Sequence, residues 1–188
     1  MTRLRRLASL GTLLLAAGAS LATSEDYPPP IQTGPVDAPA FDLDEGHGGR
    51  AFVITMTPNE AALADGIQSG SVNLDLTLVG VGPDGPAASL RLSFEQAQVP
   101  DELPTSLDDV GVAPGETQEL SMLFEIFRIC DEEAGCIQEL SVGFEHLGGA
   151  AVEVSWVVSV QTHTFGPDDF SKAAAVDVAI RESQAIPD

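Results

Sequence analysis

The stretch Val72–Val79, with the sequence VNLDLTLV, decides the fold class of this chain. Its apolar side chains alternate with the polar residues Asn73, Asp75 and Thr77. Successive side chains of a β-strand point to opposite faces of a sheet, so a period of two is typical of a strand with one buried and one solvent-facing side. The stretch therefore predicts a half-buried β-strand.

The same alternation recurs in six further segments. Their apolar positions are Phe52, Ile54 and Met56; Leu90, Leu92 and Phe94; Leu120, Met122, Phe124 and Ile126; Leu140, Val142 and Phe144; Val152, Val154, Trp156, Val158 and Val160; and Ala174, Val176, Val178 and Ile180. Turn-forming residues separate the segments, as in GVGPDG at 80–85. About seven such strands predict an all-β domain over residues 50–188, an antiparallel two-sheet sandwich. The pattern also fits a closed barrel.

The first 22 residues have the layout of a secretory signal peptide. Three arginines precede an apolar run from Leu7 to Ala19, and small residues at 20 and 22 suit cleavage after Ala22. The run is shorter than the roughly 18 apolar residues that a membrane helix needs, so we expect no membrane insertion. The predicted location is outside the cell, or in the periplasm or cell envelope.

Residues 23–49 differ in composition from the strands that follow. They are rich in Pro, Gly and Asp and show no apolar period. Such a composition predicts a flexible tether between the leader and the domain that begins at residue 50.

The charge of the chain is strongly negative, with a formal net charge of −21. Cleavage after Ala22 would leave five basic against 29 acidic residues, or −24. A field of this sign repels phosphate backbones, so nucleic-acid binding is not expected. The acidity fits adaptation to a salty medium, general solubility or recruitment of cations, and the sequence leaves these readings open.

Two cysteines, Cys130 and Cys136, bracket the acidic sequence DEEAG between two predicted strands. Export favours their oxidation, and their spacing lacks the C-x2-C pattern of zinc and thioredoxin-like sites, which predicts a structural disulfide. Asp131, Glu132 and Glu133 would then crown a constrained hairpin tip. This tip is a candidate recognition site.

A second acidic group, Asp42, Asp44 and Glu45, lies in the sequence DLDEGHGG. Hard carboxylate oxygens beside glycines are what a calcium loop requires, although the later positions of an EF-hand do not match here. A calcium-dependent or cation-recruiting domain is therefore one alternative, and no other cofactor is expected.

Catalytic motifs are not evident in the chain. The histidines, at 47, 146 and 163, are scattered, and there is no G-x-S-x-G nucleophile elbow. We therefore expect no enzyme, and packing or surface exposure explains the histidines. A secreted hydrolase that uses two of the dispersed carboxylates stays open as a further alternative.

The segment Ala113–Leu120, APGETQEL, opens a predicted strand and resembles a turn of bacterial immunoglobulin-like surface modules. The resemblance implies an immunoglobulin-like sandwich with an adhesion, spacing or ligand-binding role, and it carries no catalytic residues. The expected function is thus a non-catalytic binding, adhesion or structural module. Its expected partner is a protein or glycan at the cell surface, of unknown identity.

Overall fold

The computed structural model describes residues 31–59, 67–96, 105–127, 137–164 and 176–184. The predicted signal peptide lies outside these ranges, as do Cys130, Cys136 and the predicted acidic tip at 131–133. The disulfide, the tip and export therefore stay predictions.

Ten β-strands make up the described chain. They are β1 (Ile31–Asp37), β2 (Phe41–Leu43), β3 (Gly49–Pro58), β4 (Ile67–Gly80), β5 (Ala88–Gln96), β6 (Thr105–Val112), β7 (Thr117–Phe127), β8 (Gln138–Gly148), β9 (Val152–Thr164) and β10 (Val176–Ser183). The seven strands predicted from alternation correspond to β3, β4, β5, β7, β8, β9 and β10. None of the described residues is helical, so these ranges hold no helix long and apolar enough to cross a membrane.

The strands form two five-stranded antiparallel sheets. Sheet I has the order β1-β9-β4-β7, with β2 also paired to β9, and sheet II has the order β10-β3-β8-β5-β6. Without β10, and with β1 and β2 counted as one interrupted strand, the two sheets have four strands each, as in an eight-stranded double-sheet jelly roll. An immunoglobulin-like order, with strands A-B-E-D facing C-F-G, is not confirmed.

The two sheets pack face to face through the alternating apolar side chains. In β4, Leu74 and Leu78 are fully buried, and they face a core that sheet II lines with residues such as Ile54. Aromatic rings of both sheets meet: the ring centroid of Phe52 in β3 lies 5.3 Å from that of Trp156 in β9. Each fully buried side chain of this size contributes roughly 1.5–3 kcal/mol, so the alternation itself holds the sandwich together. The predicted all-β sandwich is confirmed.

Residues 31–49, which the sequence predicts as part of a tether, instead contain two strands at an edge of sheet I and the first residue of β3. Here β1 pairs with β9 from Thr162 to Val157, and β2 pairs with β9 from Val154 to Val152. Leu43 is fully buried, and the ring of Phe41 lies 5.1 Å from that of Phe144.

Prolines explain why this edge shows no clear period in the sequence. The register of β1 shifts between Thr33 and Val36, where Gly34 and Pro35 stand, and Pro39 separates β1 from β2. Proline has no N–H to give to a ladder, so it is tolerated at an edge strand. The interrupted edge thus has the composition of a linker.

The turn at Ala113–Glu116 carries the chain from β6 in sheet II to β7 in sheet I. The N–H of Glu116 donates to the carbonyl oxygen of Ala113 at 3.0 Å, and Gly115 has a φ of 77°. Gly80 packs directly against this turn, because a Cβ there would overlap the carbonyl oxygen of Ala113. A turn is therefore present where the sequence APGETQEL predicts one.

Candidate binding face

The solvent-facing side of sheet I is the strongest candidate for a site. Since the core takes every second side chain of these strands, the intervening polar residues all point outward. Six exposed carboxylates share this side: Asp37 on β1, Asp42 on β2, Asp75 on β4, Glu119 and Glu125 on β7, and Glu153 on β9. We call this side of sheet I, with these six residues, the acidic face.

Positive charge in the described chain is confined to sheet II. Arg50 lies on β3, Arg91 on β5 and Arg181 on β10, and no Lys or Arg occurs in the strands of sheet I. All three arginines have acidic partners. Arg91 contacts both Asp108, at 2.7 Å, and Glu145, at 3.1 Å. The acidic face therefore holds its carboxylates without a countercharge from the described strands.

Arg50 and Arg181 make the other ion pairs of sheet II. Arg181 lies 3.4 Å from Glu139 on β8, and Arg50 pairs with Glu182 at the end of the sandwich. Sheet II thus neutralises part of its own acid, whereas sheet I does not.

Asp75 stands near the centre of the acidic face and is held in place by its neighbours. The side-chain amide of Asn73 donates from Nδ2 to Oδ2 of Asp75 at 2.9 Å. The hydroxyl of Ser121 on β7 donates to Oδ1 of Asn73 at 3.1 Å. This chain of hydrogen bonds orients the Asp75 carboxylate on the surface.

Two open depressions of the acidic face share Asp75 and Thr77. One lies between β4 and β7 and is also lined by Glu119. The other lies between β1, β9 and β4 and is also lined by Asp37 and Ser155. Together they form a band of carboxylates and hydroxyls that crosses the sheet.

Asp42 and Glu153 face each other directly across the β2–β9 pair. Like charges opposite each other in antiparallel strands are destabilising, because their side chains lie only about 5 Å apart. The two carboxylates therefore repel each other at the part of the acidic face where β2 pairs with β9. Negative charge is thus retained here at some cost in stability.

The three residues weighed as calcium ligands do not gather around one point. Asp42 belongs to the acidic face, while Asp44 lies in the turn after β2, where its Oδ1 accepts the N–H groups of Gly46 and His47 at 2.7 Å each. These backbone N–H groups lower the pKa of Asp44, that of His47 most strongly. Within the described ranges, no group of three His, Cys, Asp or Glu residues is arranged to hold a metal ion.

Two histidine side chains are described, and both make local contacts. His146 on β8 is buried with Nε2 2.9 Å from the carbonyl oxygen of Ala150, and His47 places Nδ1 3.1 Å from Asp44. The side chain of His163 lies outside the described part of the chain. For His146, this agrees with the predicted role in packing.

Comparisons of the chain with known protein families, with curated proteins and with solved structures find no match. The resemblance of Ala113–Leu120 to bacterial immunoglobulin-like modules is therefore neither supported nor contradicted.

Sequence reasoning places the outward polar residues correctly on each strand but does not group them into a face. The grouping depends on strand order, which brings β4, β7 and β9 together although 36 residues separate β4 from β7. One signal was available in the sequence. The segments 67–80, 117–127 and 152–164 contain no Lys or Arg at all.

Proposed function

We propose that the protein is an exported, non-catalytic binding module that docks through its acidic face on a positively charged surface of a partner protein. The single observation that carries this proposal is the segregation of charge between the two sheets. Sheet II pairs four of its acids with arginines, while the outer side of sheet I presents six carboxylates and no cation in the described strands. Export is proposed from the leader sequence and places the partner at the cell envelope or outside the cell.

A face of one sign steers a partner of the opposite sign and disfavours partners of the same sign. The carboxylates stand on hydrogen-bonded strands, and Asp75 is additionally oriented by Asn73. A site on paired strands loses little backbone entropy on binding, since the backbone of its residues is already ordered. The geometry thus suits docking of a preformed surface.

A cationic protein surface fits this face better than a neutral glycan does. The described Trp156 and the rings of Phe41 and Phe124 turn toward the core, so the face offers carboxylates and hydroxyls at its surface. Carboxylates gain most from a charged partner because Coulomb attraction adds to hydrogen bonding. Glycan binding is retained as an outcome of the experiment.

The experiment compares two charge-matched triple variants in binding to a ten-residue lysine peptide. The face variant carries Asp75→Asn, Glu119→Gln and Glu153→Gln. The control carries three substitutions away from the acidic face, Asp84→Asn, Glu95→Gln and Asp177→Asn, and so loses the same charge. We expect the face variant to bind about tenfold more weakly, which is about 1.4 kcal/mol, and the control less than twofold more weakly.

Salt and calcium complete the test. The difference between the variants should shrink as sodium chloride is raised, because salt screens exposed charges. Equal losses in both variants would show that net charge alone attracts the peptide, and the face would then have no special role. If the wild type binds neutral oligosaccharides and the face variant does not, the partner is a glycan instead of a cationic protein surface. A saturating, chelator-sensitive stabilisation by calcium would favour the cation-recruiting alternative instead.

A further inference from the structure

The described sandwich has four sheet edges, and three of them carry features that discourage pairing with another strand. An unpaired strand edge can pair with a strand of another molecule and cause aggregation. Proteins prevent this with prolines, bulges, charges or short strands at the edge. The β1/β2 edge is interrupted at Pro35 and Pro39. The β6 edge has a register shift and a residue, Asp109, with a φ of 59°.

The third edge, β10, is only eight residues long and lies beside β1. It carries charges of both signs at Asp177, Arg181 and Glu182. In contrast, β7 has eleven residues and contains neither Pro nor Lys. Its register with β4 is unbroken from Thr117 to Glu125 and shifts only at the end of the strand, between Glu125 and Phe127. Within the described chain, β7 is the long and regular edge.

The hydrogen-bond pattern between β4 and β7 shows which backbone groups of β7 point away from β4. The N–H of Gly80 donates to the carbonyl oxygen of Glu116 at 3.0 Å, which marks a hydrogen-bonded position of the β4–β7 ladder. Such positions alternate along an antiparallel pair. The odd-numbered residues from Thr117 to Leu123 therefore direct their N–H and C=O groups away from β4. The carbonyl oxygen of Glu125 agrees with this phase, since it accepts the side-chain amide of Gln96 at 3.0 Å.

Both faces of β7 leave apolar surface open at this edge. On the outer side, Leu123 is 67% exposed, the highest value among the large apolar residues that the structure describes. On the inner side, Leu120, Met122 and Phe124 are only partly buried, whereas their neighbour Leu74 on β4 is fully buried. The core is thus less well covered at β7 than under β4 and β9.

We propose that β7 accepts an extended segment of the partner protein as an additional antiparallel strand of sheet I. The choice of a basic partner rests on the proposed function, because Glu119 and Glu125 flank Leu123 on the outer side. Backbone hydrogen bonds would supply affinity and alternate side chains specificity, as in other cases of strand addition. The fitting segment has lysine or arginine opposite Glu125 and Glu119, an apolar residue opposite Leu123, and apolar residues between them that cover the inner side.

A second copy of the chain fits this edge less well. It would bring a second formal net charge of −21 to the protein and a second copy of Glu119 and Glu125 to the edge. Repulsion of like charges opposes such pairing, so the occupant is a basic segment of a different protein.

The experiment uses a labelled seven-residue peptide, Lys-Val-Leu-Val-Thr-Val-Lys with blocked ends, and the purified protein. In antiparallel register its first lysine meets Glu125, its leucine Leu123 and its last lysine Glu119. A second peptide carries N-methyl groups on its leucine and threonine, whose amides would point at β7. N-methylation keeps the charge but removes two donors, so we expect the dissociation constant to rise at least tenfold.

Variants of the protein test the same edge from the other side. Ser121→Pro removes one outward N–H and leaves the backbone ladder with β4 intact, since Pro is tolerated where the N–H faces away from the sheet. It also removes the hydroxyl that donates to Asn73, so Ser121→Ala, which loses only the hydroxyl, is its control and should bind like the wild type. Leu123→Lys places a like charge against the peptide, and Leu147→Lys is its matched control at another exposed apolar site, at the end of β8. We expect Ser121→Pro and Leu123→Lys each to weaken binding at least fivefold and Leu147→Lys to change it less than twofold.

The outcomes separate this proposal from the proposed function. If both peptides bind equally and the edge variants change nothing, strand addition is overturned while docking by charge stands. If the ten-lysine peptide binds and the seven-residue peptide does not, strand addition is again overturned. If only the seven-residue peptide binds, in a methylation-sensitive way, strand addition stands and the charge-based function fails. Concentration-dependent dimers that Leu123→Lys abolishes would assign the edge to a second copy.

Discussion

The two outer faces of the sandwich arise from the same alternation of apolar and polar residues. They differ in whether their carboxylates are paired with arginines. On sheet II, Arg91 links Asp108 and Glu145, and Arg181 lies beside Glu139. On sheet I, the acidic face has no described cation, and two of its acids, on β2 and β9, stand directly opposite each other. Alternation places polar residues outside, and the distribution of arginines then gives each face its electrostatic character.

Stability alone does not account for this difference. The side chains of Arg91 and Glu145 are 47% and 39% exposed, and ion pairs at such exposure contribute little because water and salt screen them. By the same argument, a cation among the exposed acids of the acidic face would add little stability. The uneven distribution of arginines is the observation on which the proposed binding role rests.

The largest effect that we expect is a loss of stability on substitution of Leu43. This substitution tests whether the strands that carry Asp37 and Asp42 are an integral part of the folded sandwich. Leu43 anchors β2, and hence Asp42, to the core, where it is fully buried. Leu43→Ala should lower the free energy of unfolding by about 2–5 kcal/mol, as large-to-small substitutions in a core do. Urea denaturation followed by circular dichroism measures it.

The neighbouring exposed residue supplies the control. Asp42→Ala should leave the stability unchanged or raise it slightly, because it removes the repulsion from Glu153. If Leu43→Ala had no more effect than Asp42→Ala, residues 31–49 would behave as the tether that their composition predicts, and the acidic face would lose two of its carboxylates.

A smaller effect comes from placing the same new charge on each face. Glu153→Lys puts a cation opposite Asp42 and should raise the free energy of unfolding by about 0.2–1 kcal/mol. Glu145→Lys puts a cation beside Arg91 and should lower it. Thermal melts at low salt measure both shifts, and both should fade at 1 M sodium chloride, where the Debye length is about 3 Å. Shifts of the same sign would contradict the contrast between the faces.

Much of this fold follows from local pattern, and the parts that do not are instructive. The strands from β3 to β5 and from β7 to β10 are predicted because their apolar residues recur every second position. In contrast, β1 and β2 are hidden by Pro35 and Pro39, and β6 by the irregular sequence SLDDVG at 106–111. These strands lie at sheet edges, where irregular residues cost little.

The acidic face depends on long-range order that no local pattern contains. Asp75, Glu119 and Glu153 come together only because β4 lies between β7 and β9. The strand order is a property of the whole chain, and the sequence supports several orders with the same alternation. The candidate calcium ligands show the opposite relation between sequence and structure. Asp42 and Asp44 are close in sequence, yet Asp42 lies on the acidic face and Asp44 lies in the turn after β2.

The smallest effect concerns Asp44, which is held by backbone N–H groups instead of an arginine. Its carboxylate accepts the N–H groups of Gly46 and His47, and these bonds lower its pKa below the ordinary value of 3.8. Folding therefore favours the ionised form. This contribution to stability is fully present above pH 3.8 and is lost as the pH falls through the folded-state pKa. Asp44→Asn keeps an accepting oxygen but removes the charge.

We thus expect Asp44→Asn to be slightly less stable than the wild type at neutral pH, and the difference to vanish as the pH is lowered below 3.8. Paired urea denaturation curves between pH 2 and pH 7 measure the difference. Glu45→Gln removes the same charge from the adjacent exposed residue and should leave stability at neutral pH nearly unchanged. A difference that persists at low pH would show that Asp44 acts through turn geometry instead of charge. In that case, hydrogen bonds from backbone N–H groups would not stabilise the negative charge of Asp44. Pairing with arginine and exposure to solvent would then be the means by which the described acids are accommodated.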